Sequence, residues 1–226
     1  MYGWFPQNIA TYGADVDRLF YLIYYVVGAW FVVLQGALLW FVIRYRRGAH
    51  PTATYARGES RGELAWLLIP AALVLALDFS IDAASDVVWR KVKLDMPPGD
   101  LQLAVTAKQF AWTIAYPGRD GRLGTDDDFS LLSELHVPAG RDVRVTLRST
   151  DVLHSFFLPN ARLKQDAVPG RAIDVWFNLT TPGRYELACA ELCGFGHYTM
   201  KGSLVVHPAA EFDQWMAAQA PASAGA

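Results

Sequence analysis

The sequence predicts a membrane-anchored, all-β protein: a two-helix transmembrane hairpin followed by a β-sandwich. Three observations carry this. The chain of 226 residues is 53% hydrophobic, an excess that asks for a lipid environment. Two long apolar runs lie within the first ninety residues, separated by a basic loop. From Leu101 onward the pattern changes to short segments in which apolar residues alternate with polar ones, the period of half-buried strands.

The first run, "LFYLIYYVVGAWFVVLQGALLWFVI" at 19–43, carries no charge and has Gln35 as its one strongly polar side chain. It is long enough to cross a bilayer core as a helix. The second, from Leu64 to Leu77, is interrupted by Asp78, and its length alone fits a buried core helix equally well. Context decides for a second crossing. Arg44, Arg46, Arg47, Arg57 and Arg61 lie between the runs, whereas the first seventeen residues hold Asp15 and Asp17 and no Lys or Arg. The positive-inside rule then places the loop in the cytoplasm and the N-terminus outside, so a second crossing returns the chain to the outer side near residue 90. The expected organisation is an outer N-terminal tail at 1–18, a transmembrane hairpin at 19–93 with its cytoplasmic loop at 44–62, a sandwich at 94–207, and a short helix with a flexible tail at 208–226. No basic n-region or small-residue cleavage site precedes the first helix, so that helix is expected to act as its own targeting signal.

Within the sandwich, "LQLAVTA", "DVRVTLRS", "RAIDVWFNL" and "GSLVVH" read as strands. Turn signals fall between them at Pro117-Gly118, Pro138 to Gly140, Pro169-Gly170 and Pro182-Gly183. After Pro208, "AAEFDQWMAAQ" reads as a short helix, and "APASAGA" is too small and polar to fold. The net charge of −2 gives no footprint for nucleic acid.

The chemistry concentrates in "CAELCGFGHYTM", which packs Cys189, Glu191, Cys193, His197 and Met200 into one short segment of a chain with two cysteines and five histidines. A disulfide between the cysteines fits an oxidising compartment, and two thiolates with two imidazoles fit structural zinc. Met200 favours copper. Soft thiolate and thioether ligands select copper, and His, Cys and a weak Met ligand on a β-sandwich make an electron-transfer site. The missing partner should be a histidine on an adjacent strand, and His154 in "DVLHSFFLP" stands on such an apolar stretch. If both sulfurs bridge, they can hold two coppers, with His154 and His197 each capping one, Met200 on one and a backbone carbonyl on the other.

His154 followed by Cys189-x-Glu-x-Cys193-x3-His197-x2-Met200 resembles the copper A signature of subunit II of haem-copper cytochrome c oxidases. The similarity extends to the helical hairpin, "LKQDAVPGR" at 163–171 and the tail. It implies a cupredoxin-like Greek-key sandwich that takes electrons from a cytochrome c and passes them to haem in subunit I, where oxygen is reduced to water with proton pumping. It further implies that Cys189 and Cys193 bridge, that His154 and His197 cap, that Met200 ligates one copper and that the Glu191 carbonyl ligates the other. The Glu191 carboxylate would then bind a magnesium ion shared with subunit I, and Glu63 would stand near the entrance of a proton path. Implied partners are subunit I, subunit III, a separate cytochrome c, a copper-insertion chaperone and membrane lipid. The implied place is a bacterial cytoplasmic membrane with the copper domain outside. Two alternative readings are a copper A subunit of a membrane nitric-oxide reductase, against which Glu63 and Glu191 speak, and a copper-free quinol-oxidase subunit II, against which the presence of all six ligand positions speaks.

The sequence departs from the family's aromatic run at "QFAWTIAY": Phe110 stands where the first tryptophan is usual, and Trp112 remains. These two are the candidates for accepting electrons. The loop "GRDGRLGTDDDF" adds Asp126, Asp127 and Asp128, a cluster able to steer a basic donor. Asp78, Asp82 and Asp86 form a stripe on the second helix, where acids tend to find partners or water. With both cysteines committed to metal, no c-type haem attachment is available, so the donor is expected to be a separate protein.

Overall fold

The computed structural model describes residues 5–48, 52, 55 and 57–219. The flexible tail expected at 220–226 and part of the loop at 44–62 lie outside the described residues. The chain divides into a helical unit, Asp15–Arg90, and a β unit made of Met1–Ala14 with Lys91–Ala226.

In the helical unit, α1 spans Gly13–Arg44 and α2 spans Arg61–Trp89. Both are long and apolar enough to cross a membrane, and the most apolar stretch of each has no buried residue. Consecutive residues such as Phe31, Val32, Val33 and Leu34 are all exposed. A helix apolar all round, with no residue of its most apolar stretch buried among the described residues, fits a lipid-facing anchor. Ser60 caps α2 reciprocally: its hydroxyl accepts the Glu63 N–H at 3.2 Å while Glu63 Oε2 accepts the Ser60 N–H at 3.0 Å, a capping box. The helix continues past Asp78 and Asp82, and the Asp86 carboxylate meets Arg90 Nε at 2.8 Å.

The β unit is two five-stranded sheets packed face to face, and its ten strands are β1 Leu101–Lys108, β2 Ala111–Tyr116, β3 Phe129–Leu132, β4 Glu134–Pro138, β5 Asp142–Ser149, β6 His154–Leu158, β7 Leu163–Ala167, β8 Ile173–Asn178, β9 Gly183–Cys189 and β10 Lys201–His207. One sheet has the order β3-β2-β1-β5-β8, the other β4-β10-β9-β6-β7. Alternation places Leu101, Leu103, Val105 and Ala107 of β1 against Val143, Val145 and Leu147 of β5 in the buried layer. β1 with β5 and β10 with β4 run parallel, and the remaining neighbours run antiparallel. The expected cupredoxin-like sandwich behind an apolar helical pair is therefore the fold observed.

Two terminal segments complete the core. Residues from the N-terminal tail form an extended strap: the Ile9 N–H donates to the Asn160 carbonyl, the Thr11 N–H to Asn178, and the Thr180 N–H returns to Ile9. Ile9 and Tyr12 are fully buried, with Tyr12 edge-on to Trp176. At the C-terminus, α3 (Ala209–Gln219) buries Phe212 and lays Trp215 parallel to the His136 ring at 4.4 Å between centroids. His136 Nδ1 and His207 Nε2 lie 2.8 Å apart beneath it.

Candidate metal centre

β9, β10 and β6 bring the ligand-type residues to one end of one sheet. Cys189 ends β9, Met200 immediately precedes β10, and His154 opens β6, which pairs with β9 through Phe156 opposite Cys189. The backbone locks this corner: the Cys189 N–H donates to Met200 O at 3.1 Å and the Ala190 N–H to Ser155 O at 3.0 Å. The connection from β9 to β10 then folds over the corner, carrying Glu191, Cys193 and His197.

The donors converge on two sulfur atoms. Cys189 Sγ lies 3.9 Å from Cys193 Sγ, 3.9 Å from His154 Nδ1 and 3.3 Å from the Glu191 carbonyl oxygen. Cys193 Sγ lies 3.6 Å from His197 Nδ1 and 3.8 Å from Met200 Sδ. Both cysteines are free thiols, far beyond the roughly 2.05 Å of a disulfide. His154, Cys193 and Met200 are buried. Burial, and after it the neighbouring Cys189, pushes the Cys193 thiol up to about 11, so a bound metal must displace its proton. The donor chemistry fits a soft metal pair. Two thiolates, two imidazoles, a thioether and a carbonyl all reach one small volume, and the thioether has no role in a tetrahedral zinc site.

Two residues that received no role from the sequence hold this centre in place. Asp151 Oδ1 accepts from His154 Nε2 at 2.8 Å, and Asp151 Oδ2 accepts the Gln109 N–H at 2.7 Å. Burial tends to raise the Asp151 carboxyl, but the Gln109 N–H, the His154 ring and the Val152 N–H outweigh it and hold the group at about 2. Gln109 also donates its side-chain amide to the Cys193 carbonyl at 2.5 Å. The available signal was a carboxylate three positions before a candidate metal histidine, since such histidines usually give their second ring N–H to a carboxylate.

The other expected residues are spread out. Phe110, at the β1–β2 hairpin tip, is 37% exposed. A Cβ on Gly196 would stand 2.5 Å from the Phe110 ring and one on Gly194 would stand 2.6 Å from Gln109 Nε2, so both positions require glycine for the tip to lie on the ligand loop. Trp112 is fully buried, edge-on to His154 with 6.1 Å between centroids. Leu192, Phe195 and Tyr198 of the ligand loop are exposed at 77%, 97% and 72%. Asp126, Asp127 and Asp128 lie in the loop at the other end of β2 from Phe110, where Asp127 Oδ2 accepts the Arg119 N–H and Asp128 Oδ2 the Gly124 N–H. The structure therefore does not bring them together with Phe110. Glu63 belongs to the helical unit, where it closes the capping box.

Similarity to known proteins extends over the sandwich and the helical pair alike. The family model described as cytochrome c oxidase subunit II, periplasmic domain, matches residues 101–207. The cytochrome c oxidase subunit 2 of Thermostichus vulcanus is 30% identical over 264 residues, covering 95% of this chain and 78% of its own. The alternative cytochrome c oxidase subunit 2 of Bradyrhizobium diazoefficiens is 28% identical over 238 residues, covering 96% of this chain and 84% of its own. Among solved structures, the periplasmic domain of subunit II of cytochrome oxidase (CoxB) of Bradyrhizobium japonicum is similar at 31% identity and a TM-score of 0.49, over 55% of this chain and 96% of its own.

Proposed function

Because the chain belongs to the cytochrome c oxidase subunit 2 family, and so is one subunit of a haem-copper oxidase, we propose that it is the electron-accepting subunit. It takes electrons from a separate cytochrome c and delivers them to haem in subunit I, where oxygen is reduced to water with proton pumping. The observation that carries this reading is the convergence of the Met200 thioether and the Glu191 carbonyl on the same two sulfurs that His154 and His197 approach. His154, Cys189, Cys193, His197, Met200 and the Glu191 carbonyl would hold a dinuclear copper group. When bound, that group supplies a one-electron carrier whose charge is shared over two metals.

The chain's own residues do the positioning. β6 and β9 carry His154 and Cys189 on adjacent, hydrogen-bonded strands and Met200 stands directly before β10, so little has to move on a change of charge. Burial of His154, Cys193 and Met200 keeps water from the donors. Phe110 reaches from the surface to the ligand loop and Trp112 stands inside against His154, so donor docking over the hairpin tip gives the shortest approach. Exposed Leu192, Phe195 and Tyr198 add an apolar surface of the kind that marks a partner contact. Steering of a basic donor by Asp126, Asp127 and Asp128 would act at a distance, as long-range fields do. The Glu191 carboxylate is assigned to magnesium at the subunit I interface, a hard oxygen ligand for a hard cation. Glu63 is assigned to the entrance of a proton path, using the carboxylate that now caps α2.

Orientation follows from charge. The arginine-rich connection then marks the cytoplasmic side of a bacterial membrane, leaving the sandwich outside. Subunit III and a copper-insertion chaperone complete the proposed partners.

The deciding experiment loads the full-length chain in detergent with copper and measures metal content and electron paramagnetic resonance. Two coppers per chain with a seven-line hyperfine pattern is the expected result, since one unpaired electron is then shared by two equivalent nuclei. One copper with four lines, or zinc bound in preference, rejects the reading.

A further inference from the structure

We propose that Asp151 is a positioning residue for the copper centre, tying His154 through the β1–β2 hairpin tip to the loop that carries Cys193. This inference rests on the dinuclear copper reading above.

The His154 ring is fully buried, and its two nitrogens face different chemistry. Nε2 lies 2.8 Å from Asp151 Oδ1, while Nδ1 faces Cys189 Sγ at 3.9 Å. A ring nitrogen at that distance from an ionised carboxylate carries the proton, so the other nitrogen keeps its lone pair for a metal. Asp151 is not free to choose another orientation. Oδ1 also accepts the Val152 N–H at 2.7 Å and Oδ2 accepts the Gln109 N–H at 2.7 Å. Gln109 in turn holds the Cys193 carbonyl through its side-chain amide. One chain of hydrogen bonds, His154 to Asp151 to Gln109 to Cys193, thus joins the two ligand-bearing segments from outside the metal. Sites whose supporting contacts are fixed before the ligand arrives bind it more tightly and hold its geometry. The carboxylate has a second effect. A full negative charge behind the imidazole makes it a stronger donor and favours the more positive, oxidised state of the metal.

The test compares the full-length wild-type chain with Asp151→Asn and Asp151→Ala, using copper ions against a competing chelator and redox potentiometry of the loaded protein. Asp151→Asn keeps the shape and an oxygen for His154 but removes the charge. The expected result is a raised reduction potential in both variants and a copper affinity lowered about 10–100-fold, the usual effect of losing such a partner, larger for alanine. A purely structural carboxylate would lower thermal stability and leave the potential unmoved. That outcome, with unchanged affinity in folded Asp151→Asn, overturns the proposal. A measurement on the wild type stands apart from any variant: nitrogen-15 shifts of His154 in the metal-free chain should show Nε2 protonated and Nδ1 bare. The opposite tautomer overturns the proposal. A wild-type chain that binds a single metal overturns the dinuclear reading instead, and the affinities of wild type and Asp151→Asn for that metal still decide the role of Asp151.

Discussion

At the scale of single residues, Met200 and Cys193 separate what a metal needs from what a core needs. Both are buried. Met200→Leu conserves volume, so it should cost less than about 1.5 kcal/mol of stability. It removes the thioether and leaves both cysteine sulfurs in place. The chain should still bind two coppers with altered hyperfine splitting, read by electron paramagnetic resonance. On the proposed dinuclear reading, Cys193→Ser removes one of the two thiolates and should leave one copper with four lines. Phe110 tests the donor side: its ring lies on Gly194 and Gly196 of the ligand loop and is 37% exposed. Phe110→Ala should slow reduction by cytochrome c about tenfold, equivalent to about 1.4 kcal/mol of barrier, while copper content stays constant. Stopped-flow mixing of the assembled oxidase checks it. The cluster of ligand-type residues was legible because soft donors at such spacing are rare by chance. Asp151 and Gln109 were not legible as a pair, because their relation depends on a hairpin tip meeting a loop more than forty positions away.

At the scale of elements, α3 shows which contacts hold a terminal helix. Arg141 and Asp213 form a bidentate pair at 2.7 Å, yet both are substantially exposed, so Arg141→Ala should cost no more than about 1 kcal/mol. Phe212 is 2% exposed, and Phe212→Ala should cost about 3 kcal/mol. Chemical denaturation of the two variants distinguishes them. The His136–His207 pair under Trp215 adds a pH dependence. Burial, and for His136 then His207 itself, holds both imidazoles below their ordinary range, with Glu134 and Glu211 opposing and Arg184 reinforcing the shift on His136. The unfolded chain therefore takes up protons first as pH falls. Stability contributed by the neutral pair is complete above about pH 6.5 and is lost as pH drops from there through the folded-state values. Thermal melts at stepped pH should show this decline, and His136→Phe should weaken it. The strands quoted from the sequence, β1, β5, β8 and β10, were legible because they alternate cleanly. Others were hidden for physical reasons: β6 is buried on both faces for most of its length, and β7 carries Lys164, Gln165 and Asp166 in succession.

At the scale of the whole molecule, the chain closes its β domain with residues from before the first helix. Tyr12 is fully buried. Tyr12→Ala should remove about 3 kcal/mol and lower the midpoint of the sandwich by roughly 6–12 °C. A fragment beginning near residue 95 lacks the strap and should melt below one supplied with a peptide of residues 5–14; calorimetry with and without that peptide checks it. The sequence by itself determined the helical anchor, the sandwich class and the donor chemistry, because long apolar runs, two-residue alternation and ligand type are properties of local composition and spacing. The tertiary structure alone decided that the N-terminal segment belongs to the β domain, that the acidic loop lies at the far end of β2 from Phe110, and that Asp151 and Gln109 brace the corner where the ligand-type residues meet. Those relations arise from packing between segments distant in the chain, where burial and hydrogen-bond satisfaction select one arrangement among many that the same local patterns allow.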